Sequence, residues 1–159
     1  MAASGTRSLK IVDAPGLQYE FNPHLVYNPN YRGGTAAVSF DLRLGERVVM
    51  YTEGRSWDVQ PYRVGPSVHI TNGKLEAAGK TMDLPTDEWI HFEITFKVGA
   101  DADGTWSLAV TLPGQAPRRF DGLNTGSAEF KNLTWFGFSS SAKERTVFYL
   151  DNLKIKNVP

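Results

Sequence analysis

Trp89-Ile90-His91-Phe92-Glu93-Ile94-Thr95-Phe96-Lys97-Val98 places Ile90, Phe92, Ile94, Phe96 and Val98 on one side of an extended chain and His91, Glu93, Thr95 and Lys97 on the other. Successive side chains of a β-strand point to opposite faces, so this stretch reads as a strand with one face on a core and one in water. The same alternation continues on either side. After the turn residues Asp101-Ala102-Asp103-Gly104, Thr105–Leu112 alternates Trp106, Leu108, Val110 and Leu112 with Thr105, Ser107, Ala109 and Thr111. Upstream, Thr35–Leu44 alternates Ala36, Val38, Phe40, Leu42 and Leu44 with Ala37, Ser39, Asp41 and Arg43.

Turn chemistry divides the remainder into short pieces of the same kind. Asn72-Gly73 sits between Ser67–Thr71 and Lys74–Ala77, a strong two-residue hairpin signal. Leu44-Gly45-Glu46 leads into Arg47–Trp57, and Pro113–Pro117 leads into Arg118–Leu123. Late strands are expected at Leu133–Ser140 and Thr146–Lys156, and early ones at Leu9–Val12 and Leu17–Phe21. Leu75–Ala78 has the composition for one helical turn, and no segment sustains a helical period. The pattern predicts an all-β fold of about ten to twelve strands, a two-sheet antiparallel β-sandwich. Asn22–Gly34, rich in Pro, Asn and Tyr, reads as a stiff loop of the sort that carries binding on a rigid scaffold.

The chain has 159 residues, enough for one domain with a real core. The expected domain covers residues 9–157, with 1–8 as appended or linker residues, and the small polar start Met1–Thr6 implies neighbouring domains in a longer native chain. Lys plus Arg and Asp plus Glu both number 17, so net charge is zero. A general electrostatic hold on nucleic acid or on an anionic membrane is therefore not expected. Cysteine is absent, which removes disulfide and thiol chemistry. No apolar run approaches the roughly 20 residues of a membrane-spanning helix. Four Trp and six Tyr exceed what the strand pattern places inside and point to ring-stacking surfaces.

Trp89–Phe96 followed by Asp103-Gly104-Thr105-Trp106-Ser107-Leu108-Ala109-Val110, with the closing run Val147-Phe148-Tyr149-Leu150-Asp151-Asn152-Leu153-Lys154-Ile155, resembles the paired and final strands of concanavalin A-like (laminin-G-like) jelly-roll domains. That resemblance spans about Leu9 to Asn157. It implies a jelly roll, an extracellular or cell-surface setting, and an oligo- or polysaccharide partner. It implies most directly an accessory carbohydrate-binding module of a secreted glycan-processing protein. Fold alone leaves other roles open, because lectins, lyases, hydrolases and adhesion domains share it.

In Arg47–Trp57, Tyr51, Glu53 and Arg55 share one face of the expected strand, and Trp57 follows. A sugar ring stacks on an aromatic face, while carboxylate and guanidinium bond vicinal hydroxyls or a uronate. Tyr62 and Arg63 lie in the Pro-bounded connector Pro61–Pro66 and are expected at the rim of the same site. Tyr27 and Tyr31 are expected to arch over it from the early loop, and His69 to join if its strand shares the sheet. Trp106, Trp135, Phe92 and Phe148 fall in the apolar phase and are expected in the core. The paired carboxylates that jelly-roll glucanases carry on one strand are missing, since Glu53 stands alone between Tyr51 and Arg55. Jelly-roll alginate lyases are similar in type through Glu53, Arg55 and the strand Ser67-Val68-His69-Ile70, although Ser67 replaces their Gln and the late strand Thr134–Phe138 supplies no Tyr. The expected function is non-catalytic carbohydrate binding. The alternatives are a polysaccharide lyase or glycoside hydrolase using Glu53, Arg55 and His69, and a structural or protein-interaction domain. His24, His69 and His91 lack the spacing of a transition-metal site. Jelly-roll carbohydrate-binding modules commonly hold a structural calcium, and by that resemblance Glu20 and Asp151 are the candidate ligands; otherwise Asp151 caps a bulge and Glu20 is surface.

Overall fold

The computed structural model describes residues 1–158. The alternating stretches form strands, and the turn residues end them. In chain order the strands are β1 (Leu9–Asp13), β2 (His24–Tyr27), β3 (Gly34–Leu44), β4 (Val49–Ser56), β5 (Arg63–Thr71), β6 (Lys74–Ala77), β7 (Lys80–Asp83), β8 (Trp89–Val98), β9 (Thr105–Thr111), β10 (Arg118–Asn124), β11 (Trp135–Ser140) and β12 (Thr146–Val158). One 3₁₀ turn, Gly99–Asp101, is the sole helical element among the described residues. None of the described residues forms a helix long and apolar enough to cross a membrane.

Two six-stranded antiparallel sheets result. The first runs β1-β12-β3-β8-β9-β10 and the second β2-β11-β4-β5-β6-β7. The fold is an all-β jelly-roll sandwich. The alternation of Trp89–Val98 is realised residue by residue, with Ile90, Phe92, Ile94, Phe96 and Val98 buried and Glu93, Thr95 and Lys97 exposed. Phe40 stacks on Phe92 within the first sheet, with ring centroids 5.1 Å apart. It also meets Phe138 of the second sheet edge-on at 5.0 Å, so these rings join the two layers. Buried apolar residues from both sheets form one continuous core.

Two local readings change. Leu17–Phe21 is not a strand: it lies in the segment between β1, on one edge of the first sheet, and β2, on one edge of the second. Leu17, Tyr19 and Phe21 all remain exposed there, so the period-two pattern had no sheet face to pack against. The expected loop Asn22–Gly34 contains β2, which pairs with β11 and closes the sheet edge. Lys74–Ala77 is the second strand of the expected Asn72-Gly73 hairpin. Leu75 and Ala77 are buried strand residues of β6, and Ala78 takes the left-handed turn conformation with φ 46°. Residues 3 and 4 also touch the sandwich: the backbone N–H groups of Ala3 and Ser4 donate to Asp151 Oδ2.

Candidate functional site

The second sheet has an inner face on the core and an outer face away from it. Met50, Val68, Ile70, Leu75, Phe136 and Phe138 point inward and are buried. The alternate positions form the outer face, where the antiparallel register sets side chains next to one another across strands. One row crosses the whole sheet: His24 opposes Ser139, which opposes Tyr51, then His69, then Glu76, then Thr81. The adjacent row contains Gly137, Glu53 and Ser67, and the next Trp135 and Arg55. Tyr51, Glu53 and Arg55 therefore share one face, as their phase requires, and His69 stands beside Tyr51.

Hydrogen bonds connect these groups. Arg55 Nε donates to Glu53 Oε1. The Ser67 hydroxyl donates to Glu53 Oε2 at 3.2 Å, and Ser67 Oγ lies 3.0 Å from His69 Nε2. With the serine proton committed to the carboxylate, the contact is satisfied when His69 Nε2 carries a hydrogen and donates to Ser67 Oγ. The Tyr51 and His69 rings stack at an interplanar angle of 29°, centroids 5.7 Å apart.

The Arg55 guanidinium is covered by three rings. Its Cζ lies 4.2 Å from the Trp135 ring centroid, 4.8 Å from Tyr62 and 5.4 Å from Trp57. Such contacts attract the cation to the ring faces. Trp57 stacks on Tyr62 at 4.7 Å and lies 6.2 Å from Trp135, and Trp57 and Tyr62 stay 47% and 38% exposed. Burial opposes the charge on Arg55, but the hydrogen bond and attraction to Glu53, helped by Tyr62 and Tyr51, outweigh it and raise its pKa above the ordinary arginine value. The guanidinium is thus permanently charged and already paired.

Trp135 corrects the sequence reading that placed it in the core. Phe136 and Phe138 occupy the inner phase of β11, so Trp135 and Gly137 occupy the outer one. The signal was legible: two phenylalanines in one phase outvote one tryptophan in the other. Gly137 is what lets the indole lie flat along the strand, because a Cβ there would come within 2.3 Å of the Trp135 ring. Trp106, Phe92 and Phe148 are buried as expected.

Loops hold the site at both ends. Trp57 N–H donates to Thr134 Oγ1 at 2.7 Å, and Ser56 Oγ donates to the Asn132 carbonyl at 2.7 Å. Asp58 bonds Arg32 Nη1 at 2.7 Å and Asn132 Nδ2 at 3.3 Å. Burial disfavours the Asp58 charge, yet these bonds and the Arg32 cation hold its pKa below the usual carboxylate value. The segment after β10 is pinned to β5 by Ser127 N–H to the Val64 carbonyl at 2.7 Å and Gly126 N–H to the Gly65 carbonyl at 3.1 Å. Beside it lies a cleft of about 300 Å³ lined by Glu53, Ser67, His69, Glu76, Asn124 and Gly126.

The remaining predicted residues fall elsewhere. Tyr31 is half-buried, and its hydroxyl donates to the Ile155 carbonyl at 3.1 Å. Tyr27 opposes the inward Phe136 and lines a cleft with Arg7, Leu150, Asp151 and Leu153. Neither arches over the outer row, because their segment became an edge strand whose register turns Tyr27 toward the first sheet. Arg63 Nη1 bonds the Pro61 carbonyl at 2.9 Å, and its Nε lies 3.9 Å from Glu129, away from the Glu53–Arg55 pair.

The calcium expectation finds no fit at its two residues. Asp151 sits at the bulge of β12, where Oδ2 accepts from Ala3 and Ser4 and Oδ1 from Asn152 N–H. Burial opposes its charge, and those three amides more than offset this and lower its pKa. Glu20 lines a different cleft, with Asp13 and Lys143. Among the described residues no three His, Asp or Glu gather as a metal-binding group.

Comparison with known proteins supports the architecture. No protein-family model and no curated protein matches the chain. Solved structures do. An endo-β-1,4-glucuronan lyase from the fungus Trichoderma reesei superposes with TM-score 0.65 and 12% identity, over 98% of this chain and 83% of that one. A marine alginate lyase from Aplysia kurodai gives 0.63 and 11%, over 98% and 85%. The alginate lyase Aly36B, in complex with an alginate tetrasaccharide, gives 0.54 and 12%, over 95% and 81%. At such identities the likeness is one of fold.

Proposed function

We propose that this domain binds a polysaccharide across the outer face of its second sheet and does not cleave it. The observation that carries the reading is the exposed stack of Trp57 and Tyr62 beside the Arg55–Glu53 pair and Trp135. Rigid rings give sugar C–H faces a surface to stack on, at little entropic cost. Next to them Glu53, Ser67 and His69 offer hydroxyl-sized hydrogen-bonding groups. Support for binding without turnover comes from the same bonds. Glu53 is engaged by Arg55 and Ser67, and it is the one carboxylate on the outer row of β4, where jelly-roll glucanases carry a pair on one strand.

A second reading, eliminative cleavage, draws on one observation: the Tyr51 ring against His69, a pair of proton-transfer groups on a fold shared with glucuronan and alginate lyases. Affinity electrophoresis in polysaccharide-containing gels, with absorbance assay of unsaturated ends on the same mixtures, separates the two. Retardation without new ends supports binding alone. Accumulating unsaturated ends would establish the lyase, and neither effect on any polysaccharide would leave a structural or protein-interaction role.

A further inference from the structure

We infer that the polysaccharide taken by this face is uncharged along its chain and is not a polyuronate. The inference rests on the glycan-binding reading above and narrows its ligand. The cleft beside the outer row is lined by two carboxylates, Glu53 and Glu76, with no Lys or Arg among its lining residues. The arginines that flank the cleft are already engaged. Arg55 is paired with Glu53 and roofed by Trp57, Tyr62 and Trp135. Arg63 is turned to Pro61 and Glu129, and Arg32 to Asp58. Lys74, at the far end of the same face, is not among the residues that line the cleft, and its cross-strand neighbour in the β6–β7 register is Asp83.

A uronate entering this cleft would lose water and meet two carboxylates, with no guanidinium or ammonium in its lining to receive it. A desolvated charge without a partner is strongly disfavoured. Uncharged sugars face no such barrier. Their hydroxyls can donate to Glu53 and Glu76 and hydrogen-bond to the His69 ring, and their ring faces can stack on Trp57 and Tyr62. The groove thus has acceptors and platforms but no anion trap.

The test is a binding panel on the wild-type protein, read by affinity electrophoresis and calorimetry. It contains uncharged chains (β-glucan, xylan, galactomannan), polyuronates (alginate, polyglucuronate, polygalacturonate) and amine-bearing chitosan. The expected result is binding within the uncharged group, changing less than about twofold between about 20 and about 500 mM NaCl, since no ion pair to the ligand is being screened. Binding confined to polyuronates, or to chitosan, would overturn the inference while leaving glycan binding intact. No binding anywhere would remove the glycan-binding reading itself. Glu76→Gln, which leaves the Arg55–Glu53 pair untouched, and Glu53→Gln are each expected to raise polyuronate binding severalfold. A folded pair of variants with no such gain would show that these carboxylates are not what excludes the anion.

Discussion

At the residue scale, the Arg55–Glu53 pair joins stability to the proposed binding face. Both side chains are about nine-tenths buried, at 12% and 10% exposure, so each needs the other. Arg55→Met would leave the Glu53 carboxylate buried with only the Ser67 hydroxyl for company. Removing one member of a buried pair typically costs about 3–5 kcal/mol. We expect a loss near the lower end in urea denaturation, because some water reaches the pair, together with loosening of the three rings stacked on the guanidinium. Trp57 behaves differently. It lies after β4, half exposed, and contributes ring area to solvent and not to the core. Trp57→Ala should therefore leave the unfolding midpoint nearly unchanged and weaken glycan binding by about 1–3 kcal/mol, by analogy with aromatic stacking on other flat rings. A Trp57→Ala protein that unfolds early but binds normally would assign the ring to structure.

At the element scale, β11 sets the geometry of the site through one glycine. Gly137→Ala would drive a methyl group into the Trp135 indole, 2.3 Å from its ring. The ring must then leave the strand face, and with it the shelf beneath Arg55. Steric insertions of this kind cost about 1–3 kcal/mol. Binding should fall with stability in that variant, while Gly33→Ala, where an added methyl meets nothing within 4 Å, should change neither. Denaturation and glycan titration of the two proteins check this. Strands were legible in the sequence wherever alternation was long, as at Trp89–Val98, because one buried face imposes period two. Turn chemistry fixed hairpins such as that at Asn72-Gly73, where Asn72 and Gly73 both take positive φ. The row Tyr51, Glu53 and Arg55 was legible for the same reason, whereas His69 was placed beside it only on condition that its strand shared the sheet, as β5 does by pairing with β4. What alternation does not encode is which strands become neighbours. Trp135 meets Arg55 only because β11 pairs with β4, and Glu76 meets His69 only because β6 pairs with β5. Tyr27 and Tyr31 were misplaced because a loop rich in Pro and Asn gave no sign that it would add an edge strand.

At the scale of the whole molecule, the carboxylates Asp58, Asp103 and Asp151 make the fold sensitive to acid. Each has a folded-state pKa below the ordinary value: Asp58 through Arg32 and its hydrogen bonds against the cost of burial, Asp103 through Thr105 and its backbone N–H, and Asp151 through amides that outweigh burial. A depressed pKa adds stability that is present above the unfolded value and lost as pH falls through the folded one. The thermal midpoint should thus hold near neutrality and decline as pH drops below about 4, the ordinary carboxylate range. Asp58→Asn should flatten part of that decline, and because Asp58 ties Arg32 and Asn132 together beside Trp57, it should also loosen the aromatic end of the site. An acid midpoint unchanged by Asp58→Asn would remove that tie from the account. In the proposed reading, one outer sheet face of the sandwich takes a chain of sugars. The measurement that tests this most directly is calorimetric titration of the wild-type protein, Trp57→Ala and Trp135→Ala against the uncharged polysaccharides, with the glycan recovered and sized afterwards. The account predicts saturable wild-type binding, at least about tenfold weaker binding by both folded variants, equivalent to about 1.4 kcal/mol, and polysaccharide of unchanged length. Undiminished binding by both variants, or recovered chains that have been shortened, would contradict it.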